Sequence, residues 1–177
     1  SHLIAGLAQA DALIVLAEDV TSVPADSDVP VLLQLVHELA VYEKEPDAVE
    51  ATPELLTEAL FGPAPVASCH VAEVDGAVVG FALWYVSFST WQGRAGLWLE
   101  DLFVRPAARG RGLGKALLQA LAEVCVARGY GRFEWWVLDW NVDAQGFYRS
   151  LGAQPEDAWT VWRVDGDALA SLGAGPP

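Results

Sequence analysis

The sequence predicts a mixed α/β domain, and three observations carry that expectation. The two-residue turn Asp75-Gly76 separates two apolar runs, residues 69–74 and 77–88, as in a β-hairpin. A Gly-rich run from Arg109 to Gly114 follows a third apolar run and precedes Leu113, Leu117, Ala120, Leu121 and Val124 at helical spacing. Residues 132–140 are then rich in aromatic and β-branched side chains, which suits a buried strand. The chain has 177 residues, 53% of them hydrophobic, so it is one domain's worth with ample core.

The elements read in order as follows. Ser1-His2 is set aside as a tag remnant. Leu3, Leu7, Ala10, Leu13 and Ile14 have helical spacing, so residues 1–17 are expected to form an N-terminal helix or arm before a main domain at residues 18–170. Thr21-Ser22-Val23 is a candidate short strand. Ser27 or Asp28 can cap a helix whose apolar face holds Leu32, Leu35, Val36 and Leu39. Thr52-Pro53-Glu54 has the order of an N-cap, a first-turn proline and an acid that suits the helix dipole; that helix should stop at Gly62-Pro63. The hairpin comes next, then a third strand at 95–104 and the long helix, which Gly129 ends after Arg128. The strand at 132–140, a helix at 142–151 stopped by Gly152 and a last strand at 158–164 complete the domain. Residues 171–177 are expected to be a frayed tail.

Ten basic residues against 24 acidic ones leave a formal charge of −14. Nucleic-acid affinity comes mainly from phosphate contacts, so DNA and RNA are poor partners for this chain, and so is an anionic membrane surface. The charge attracts cationic ligands at long range, and it also serves simply to keep a protein soluble. Cys69 and Cys125 lack a CxxC spacing or a nearby His pair, so no metal site is expected and a reduced, cytoplasmic protein fits. Residues 3–16 are apolar, but no basic segment precedes them and they contain Asp11, unlike a signal peptide; no apolar run is long enough to span a bilayer.

Three motifs carry chemistry. In the first, Arg109-Gly110-Arg111-Gly112-Leu113-Gly114-Lys115 opens a helix after a strand. Unpaired N–H groups and a positive dipole end bind phosphate there, and glycine lets the backbone come close. The spacing fits neither a Walker A loop nor Gly-x-Gly-x-x-Gly. In the second, Glu100 and Asp101 stand together inside the apolar run Trp98-Leu99-Glu100-Asp101-Leu102-Phe103. Successive strand residues point to opposite faces, so at least one acid should line a wet cleft or hold its proton more tightly than usual. The other reading is an edge strand with both acids solvated. In the third, Asn141 can cap a helix that carries Phe147-Tyr148 and ends at Gly152-Ala153.

The spacing Arg109-x-x-Gly112-x-Gly114, the preceding Leu102-Phe103-Val104-Arg105-Pro106 and the run Asn141-x-x-Ala144-x-x-Phe147-Tyr148 together resemble the GNAT superfamily of N-acetyltransferases. The resemblance implies a mostly antiparallel central sheet, splayed at the strand before the Gly-rich turn, with helices on both faces. It implies acetyl-CoA as cosubstrate, its pantetheine arm on the backbone of Leu102 and Val104 and its pyrophosphate on Arg109, Gly110, Arg111, Gly112, Leu113, Gly114 and Lys115, with Asn141 also on the cofactor side. Residues 137–141, Leu99-Glu100-Asp101 and Glu38-Leu39-Ala40-x-Tyr42-Glu43 are similar to the diamine N-acetyltransferase branch, which acetylates spermidine and spermine. Two positions depart from it: Ser89 stands where those enzymes have the Asp of Asp-Pro-Trp, although Trp91 keeps the Trp, and Val41 stands where they have Lys. These departures point to a short diamine or lysine-like amine rather than a long polyamine.

An ammonium has no lone pair, so its acetylation requires loss of a proton. Glu100 is the candidate base, through a water, and Asp101 holds the cationic substrate or shares that role, with Glu43, Tyr42 and Trp91 as further substrate contacts. Tyr148 is the candidate acid for the leaving thiolate. Neither cysteine lies in these motifs, so direct transfer in a ternary complex suffices. The resemblance also implies a homodimer, which eight tryptophans in 177 residues favour independently. The rival readings are a CoA-binding or sensory domain of the same fold without catalysis, and an acetyltransferase for a different amine class such as a peptide N-terminus or an antibiotic.

Overall fold

The computed structural model describes residues 13–15 and 25–175. They divide into a first unit ending at Trp136 and a second beginning at Val137.

The first unit holds a five-stranded sheet in sequential order. Its strands are β1 (Leu13–Val15), β2 (Ser68–Val74), β3 (Ala77–Ser89), β4 (Arg94–Val104) and β5 (Phe133–Trp135). The pairings through β4 are antiparallel, while β5 lies parallel to β4. The turn between β2 and β3 is the expected one: Asp75 and Gly76 both have positive φ, 51° and 78°, which a two-residue hairpin turn of matching twist requires. Leu13 and Ile14, read above as helical, instead belong to β1, where Ile14 faces Ala72 and Val15 faces Val71 in register. Ladder pairing of a Leu-Ile-Val triplet outweighs a loose helical spacing. The rest of the N-terminal spacing and the candidate strand at Thr21-Ser22-Val23 lie outside the described residues.

Two helices cover one face of the sheet. Helix α1 (Ala25–Tyr42) begins before Ser27 and Asp28, so neither of them caps it. Its Leu32, Leu35 and Leu39 are buried against Phe81 and Phe103 of the sheet and Leu60 of α2 (Pro53–Phe61), with Val36 packed beside them. Thr52 caps α2 as expected, its Oγ1 accepting from the N–H of Leu55 at 3.3 Å. At the C-terminal end of α1, Glu38 accepts two hydrogen bonds from Arg105, each 2.8 Å, and Arg105 also donates to the Val78 carbonyl at 3.2 Å. This fork joins the helix to the segment that leaves β4.

Helix α3 (Leu113–Arg128) covers the other face with Leu113, Leu117, Ala120, Leu121 and Val124, the apolar set read from the sequence. Its last residue, Arg128, lies over the ring of Trp84 at 5.5 Å. Trp84 in turn donates from Nε1 to Nδ1 of the buried His70 at 3.0 Å. Burial lowers the His70 pKa to about 4, so its imidazole stays a neutral acceptor. Gly129 closes the helix with φ +66° and its N–H on the carbonyls of Cys125 and Val126.

The second unit holds α4 (Val142–Ser150) and α5 (Gly166–Ala174). The strand expected at 158–164 does not form. A strand needs a ladder partner, the segment joins no sheet ladder among the described residues, and Trp162 remains 91% exposed. The strand expected at 132–140 is only three residues long, because its pairing with β4 ends at Leu99. Helix α5 falls on part of the expected tail.

Candidate active site

The site begins with an irregularity in β4. Trp84 pairs with Leu99 and Leu83 pairs with Asp101, so Glu100 is an extra residue, a β-bulge opposite β3. The side-chain faces follow from the register. Phe81 and Leu83 belong to the face covered by α1 and α2, and their partners Phe103 and Asp101 share it. Trp84 and Leu99 belong to the α3 face, and Tyr85 and Trp98 return to the α1 face. Glu100 joins them there, since Trp98 donates from its indole Nε1 to Glu100 Oε2 at 3.2 Å. The expectation that neighbouring acids must point to opposite faces therefore fails: the bulge cancels the alternation, and both carboxylates reach one side.

The two acids differ in environment. Glu100 is exposed; Asp101 is partly covered, and burial raises its pKa to about 6, with the charges of Glu100 and Glu43 adding to the effect. Glu43, just beyond α1, is itself raised by burial. Cys69 of β2 is pushed up to about 12 by burial and by the Asp101 charge, so it remains a thiol. Among the described residues, no ion pair engages Glu43, Glu100 or Asp101, although Arg105 is paired with Glu38 and Arg132 with Glu134. The group thus offers uncompensated negative charge on one face of the sheet.

The same bulge sets the backbone beyond it. Arg105 donates its N–H to the Val79 carbonyl at 2.9 Å, so by alternation Leu102 and Val104 direct their backbone groups to the opposite edge. On that edge β5 accompanies β4 only as far as Leu99. The splay expected before the Gly-rich turn is therefore present. Arg109 Nε donates to the Val104 carbonyl at 2.9 Å, and its guanidinium lies over the rings of Tyr42 and Phe103, at 4.8 and 5.7 Å. It braces the edge and holds Tyr42, which leaves Arg111 and Lys115 as the exposed cations of the turn. Gly110 and Gly112 have φ of +76° and +81°, and a Cβ at either would meet no atom within 4 Å. The turn is thus a left-handed backbone loop open on its outer side, and it leads into the N–H groups of α3, which suits a pyrophosphate.

The acetyltransferase (GNAT) family model matches residues 32–153. The chain belongs to the GNAT family of acetyltransferases. It is 40% identical to the thialysine N-epsilon-acetyltransferase of Bos taurus, over 80% of this chain and 89% of that one. It is 32% identical to the human spermidine/spermine N(1)-acetyltransferase-like protein 1, over 82% of this chain and 22% of that one. Among solved structures, an integron cassette protein from the mobile metagenome of V. cholerae matches with a TM-score of 0.71 and 25% identity, over 86% of this chain and 95% of that one.

The other residues expected at the site of this acetyltransferase fall as follows. Asn141 caps α4, its Oδ1 accepting from the Ala144 N–H at 3.2 Å, and Tyr148 stands on α4 with its ring 5.4 Å from that of Phe147. Trp91 is 88% exposed in the turn after β3. Ser89 lies six positions along β3 from Leu83, the partner of Asp101, a run of about 20 Å, so Trp91 is not beside Asp101 within one chain. Ser89 is buried and caps that turn by accepting from the Gln92 N–H at 3.3 Å. The sequence reading missed Trp98, whose indole engages Glu100. The signal was available: residues two apart on a strand share a face. Two surface clefts, of about 230 and 370 Å3, lie elsewhere and are lined by neither acid.

The raised Asp101 pKa carries a stability consequence. The unfolded carboxyl ionises near 3.8 and the folded one near 6, so between these values the folded state binds more protons and stability falls as pH rises. Asp101→Asn should therefore be more stable than the parent at pH 7, and the difference should shrink on approach to pH 4. Each kcal/mol recovered is worth about 2–4 °C in Tm at this chain length. Thermal melts at the two pH values measure it; a variant less stable at pH 7 contradicts the assignment.

Proposed function

We propose that this acetyl-CoA-dependent N-acetyltransferase acts on a small primary amine with a second charge, a short diamine or a lysine-like amino acid, by direct transfer in a ternary complex. The observation that carries the reading is the pair Glu100 and Asp101 on the strand that leads into the Gly-rich turn, with Glu43 beyond α1 near Asp101 and none of the three in an ion pair among the described residues. The names of the relatives, which specify thialysine and spermidine or spermine, support the amine class. Leu102 and Val104 would hold the pantetheine arm by backbone contacts, and residues 110–115 the pyrophosphate. Acetyl-CoA supplies an activated thioester. Glu100 takes up the ammonium proton through a water, and Asp101 holds the cationic part of the substrate or shares that role. Tyr148, carried over on its motif, returns a proton to the thiolate. Ser89 and Val41 remove two charged positions of the polyamine enzymes, so fewer anchors remain for a long polycation.

CoA release with putrescine, L-lysine, thialysine and spermine tests the reading. We expect the highest kcat/KM among the first three. A clear preference for spermine overturns the acceptor assignment, and no turnover with any amine while acetyl-CoA still binds favours a non-catalytic CoA-binding domain. Tyr148→Phe removes only a hydroxyl and should lower kcat by about 10²–10⁴-fold with little change in acetyl-CoA affinity; an unchanged kcat would exclude the acid role.

The domain at residues 18–170 is proposed to work as a cytoplasmic homodimer. Both cysteines are free, and among the described residues no helix is long and apolar enough to cross a membrane. Exposed Trp159, Val161, Trp162 and Val164 in the second unit supply apolar surface for self-association. Light scattering at micromolar concentration should give twice the chain mass; a strictly monomeric mass removes the proposal.

A further inference from the structure

Four buried side-chain polar atoms lack a hydrogen bond among the described residues, and three of them gather at one place in the first unit. They are Ser87 Oγ in β3, Arg132 Nε just before β5 and Glu134 Oε2 within it. The register puts all three on the face that carries Trp98. Ser87 pairs with Gly96, two residues before Trp98, and Glu134 is the partner of Trp98 across β4 and β5. Arg132 shares that face by alternation. Gly96 makes room for it: a Cβ there would meet Ser87 Oγ at 2.8 Å and Arg132 Cγ at 3.0 Å, so the Arg132 stem crosses bare backbone. Arg132 Nε and Glu134 Oε2 form an ion pair at 2.6 Å, out of line for a hydrogen bond. Both atoms are buried, so the exposure of these side chains, 37% and 30%, falls on their outer atoms. A pair this exposed contributes little to stability, and buried polar atoms left unmatched call for another explanation.

The surroundings are those of a shallow tray. Trp98 is met edge-on by Trp136 at 4.9 Å and flanked by the ring of Tyr85 at 6.5 Å, and Trp136 and Tyr85 are themselves exposed. Trp98 also joins the tray to the β4 bulge, since its indole donates to Glu100 while Glu134 is its cross-strand partner. With strands about 4.8 Å apart and a rise of about 3.3 Å per residue, the α-carbons of Glu134 and Glu100 are roughly 8 Å apart. That separation is comparable with the reach of the four-carbon amine stem of a lysine side chain.

We propose that Arg132, Glu134 and Ser87 form a subsite for the zwitterionic head of an α-amino acid whose side-chain amine extends to the β4 bulge. The proposal rests on the acetyltransferase reading above and chooses between its two acceptor classes, a lysine-like amino acid over a short diamine. The charges match group by group. The planar guanidinium of Arg132 suits the α-carboxylate, and the free oxygen of Glu134 accepts from the α-ammonium. The Ser87 hydroxyl can donate to the same carboxylate. A pair of opposite charges thus meets a head of opposite charges. A diamine brings a second ammonium to the same place. Glu134 attracts it, but Arg132 repels it, and no carboxylate offsets that repulsion.

L-lysine and cadaverine test the subsite, because they share one stem and differ only in the α-carboxylate. Each is assayed for CoA release and, separately, for binding to the CoA-loaded protein by titration calorimetry. The parent should favour L-lysine in both. Arg132→Met keeps the stem over Gly96 and removes the charge. It should lower kcat/KM for L-lysine by about 10- to 100-fold, through KM, and raise it for cadaverine, so that the preference reverses. Arg132→Lys keeps the charge without the fork and should fall between the two. Glu134→Gln should weaken both substrates. A parent that does not favour L-lysine overturns the proposal. So does Arg132→Met or Arg132→Lys lowering both substrates alike, the outcome for a merely structural brace. Turnover of cadaverine alone keeps the acetyltransferase reading and overturns the subsite. Calorimetric preference for L-lysine that reverses in Arg132→Met, with neither amine acetylated, upholds the subsite and overturns that reading.

Discussion

One extra residue in β4 governs the rest of the site. Had the ladder with β3 continued without interruption, Leu99 and Asp101 would share a face, and Asp101 would point at α3 among Trp84 and His70. With Glu100 bulged out, Asp101 points instead at the end of α1, beside Glu43 and Cys69. The same shift of one residue turns the backbone groups of Leu102 and Val104 toward the open edge and those of Phe103 toward β3. A bulge changes both parities at once, because side chains and hydrogen-bonding groups alternate along a strand with the same period. The acid face and the open backbone edge are therefore two results of a single local insertion.

Such a bulge must be held, because an unpaired residue weakens the ladder. The structure holds it from both ends. Before it, Leu97 and Leu99 are buried and pair with Phe133 and Trp135 of β5. After it, Phe103 is locked into the cluster with Leu32, Leu35, Leu39 and Phe81, and Arg105 is clamped by Glu38. The clamp is about one-third exposed on both sides, so its energetic contribution is modest, of the order of 1 kcal/mol or less. Its geometric role is larger: two parallel hydrogen bonds fix the direction in which the chain leaves β4. Arg109 continues the task by tying the Val104 carbonyl to the face of Tyr42.

The two halves of the chemistry use different materials. The proposed phosphate site would rely on backbone: left-handed glycines at 110 and 112 and the N–H groups of a helix start, which side-chain changes scarcely alter. The proposed amine site would rely on side-chain charge, which is costly to bury and sensitive to every neighbour. Ser89, for its part, caps a turn and offers no carboxylate.

The sequence by itself determined whatever depends on local pattern. The hairpin at Asp75-Gly76, the Thr52 cap, the apolar stripe of α3 and its glycine stop, and the family motifs from Arg109 to Tyr148 could all be read because each is set by residues a few positions apart. Tertiary structure decided what depends on register between distant segments. Nothing in Leu99-Glu100-Asp101 reveals a bulge, since it arises from how β4 must meet both Leu83 and Trp84. The faces of the two acids, the capture of Arg109 by Val104 and Tyr42, and the shortness of β5 follow from such pairings, as does the failure of residues 158–164 to form a strand. A strand's side-chain pattern states which residues prefer cover; only its partner, residues away in the chain, determines which face receives it and where the pairing ends.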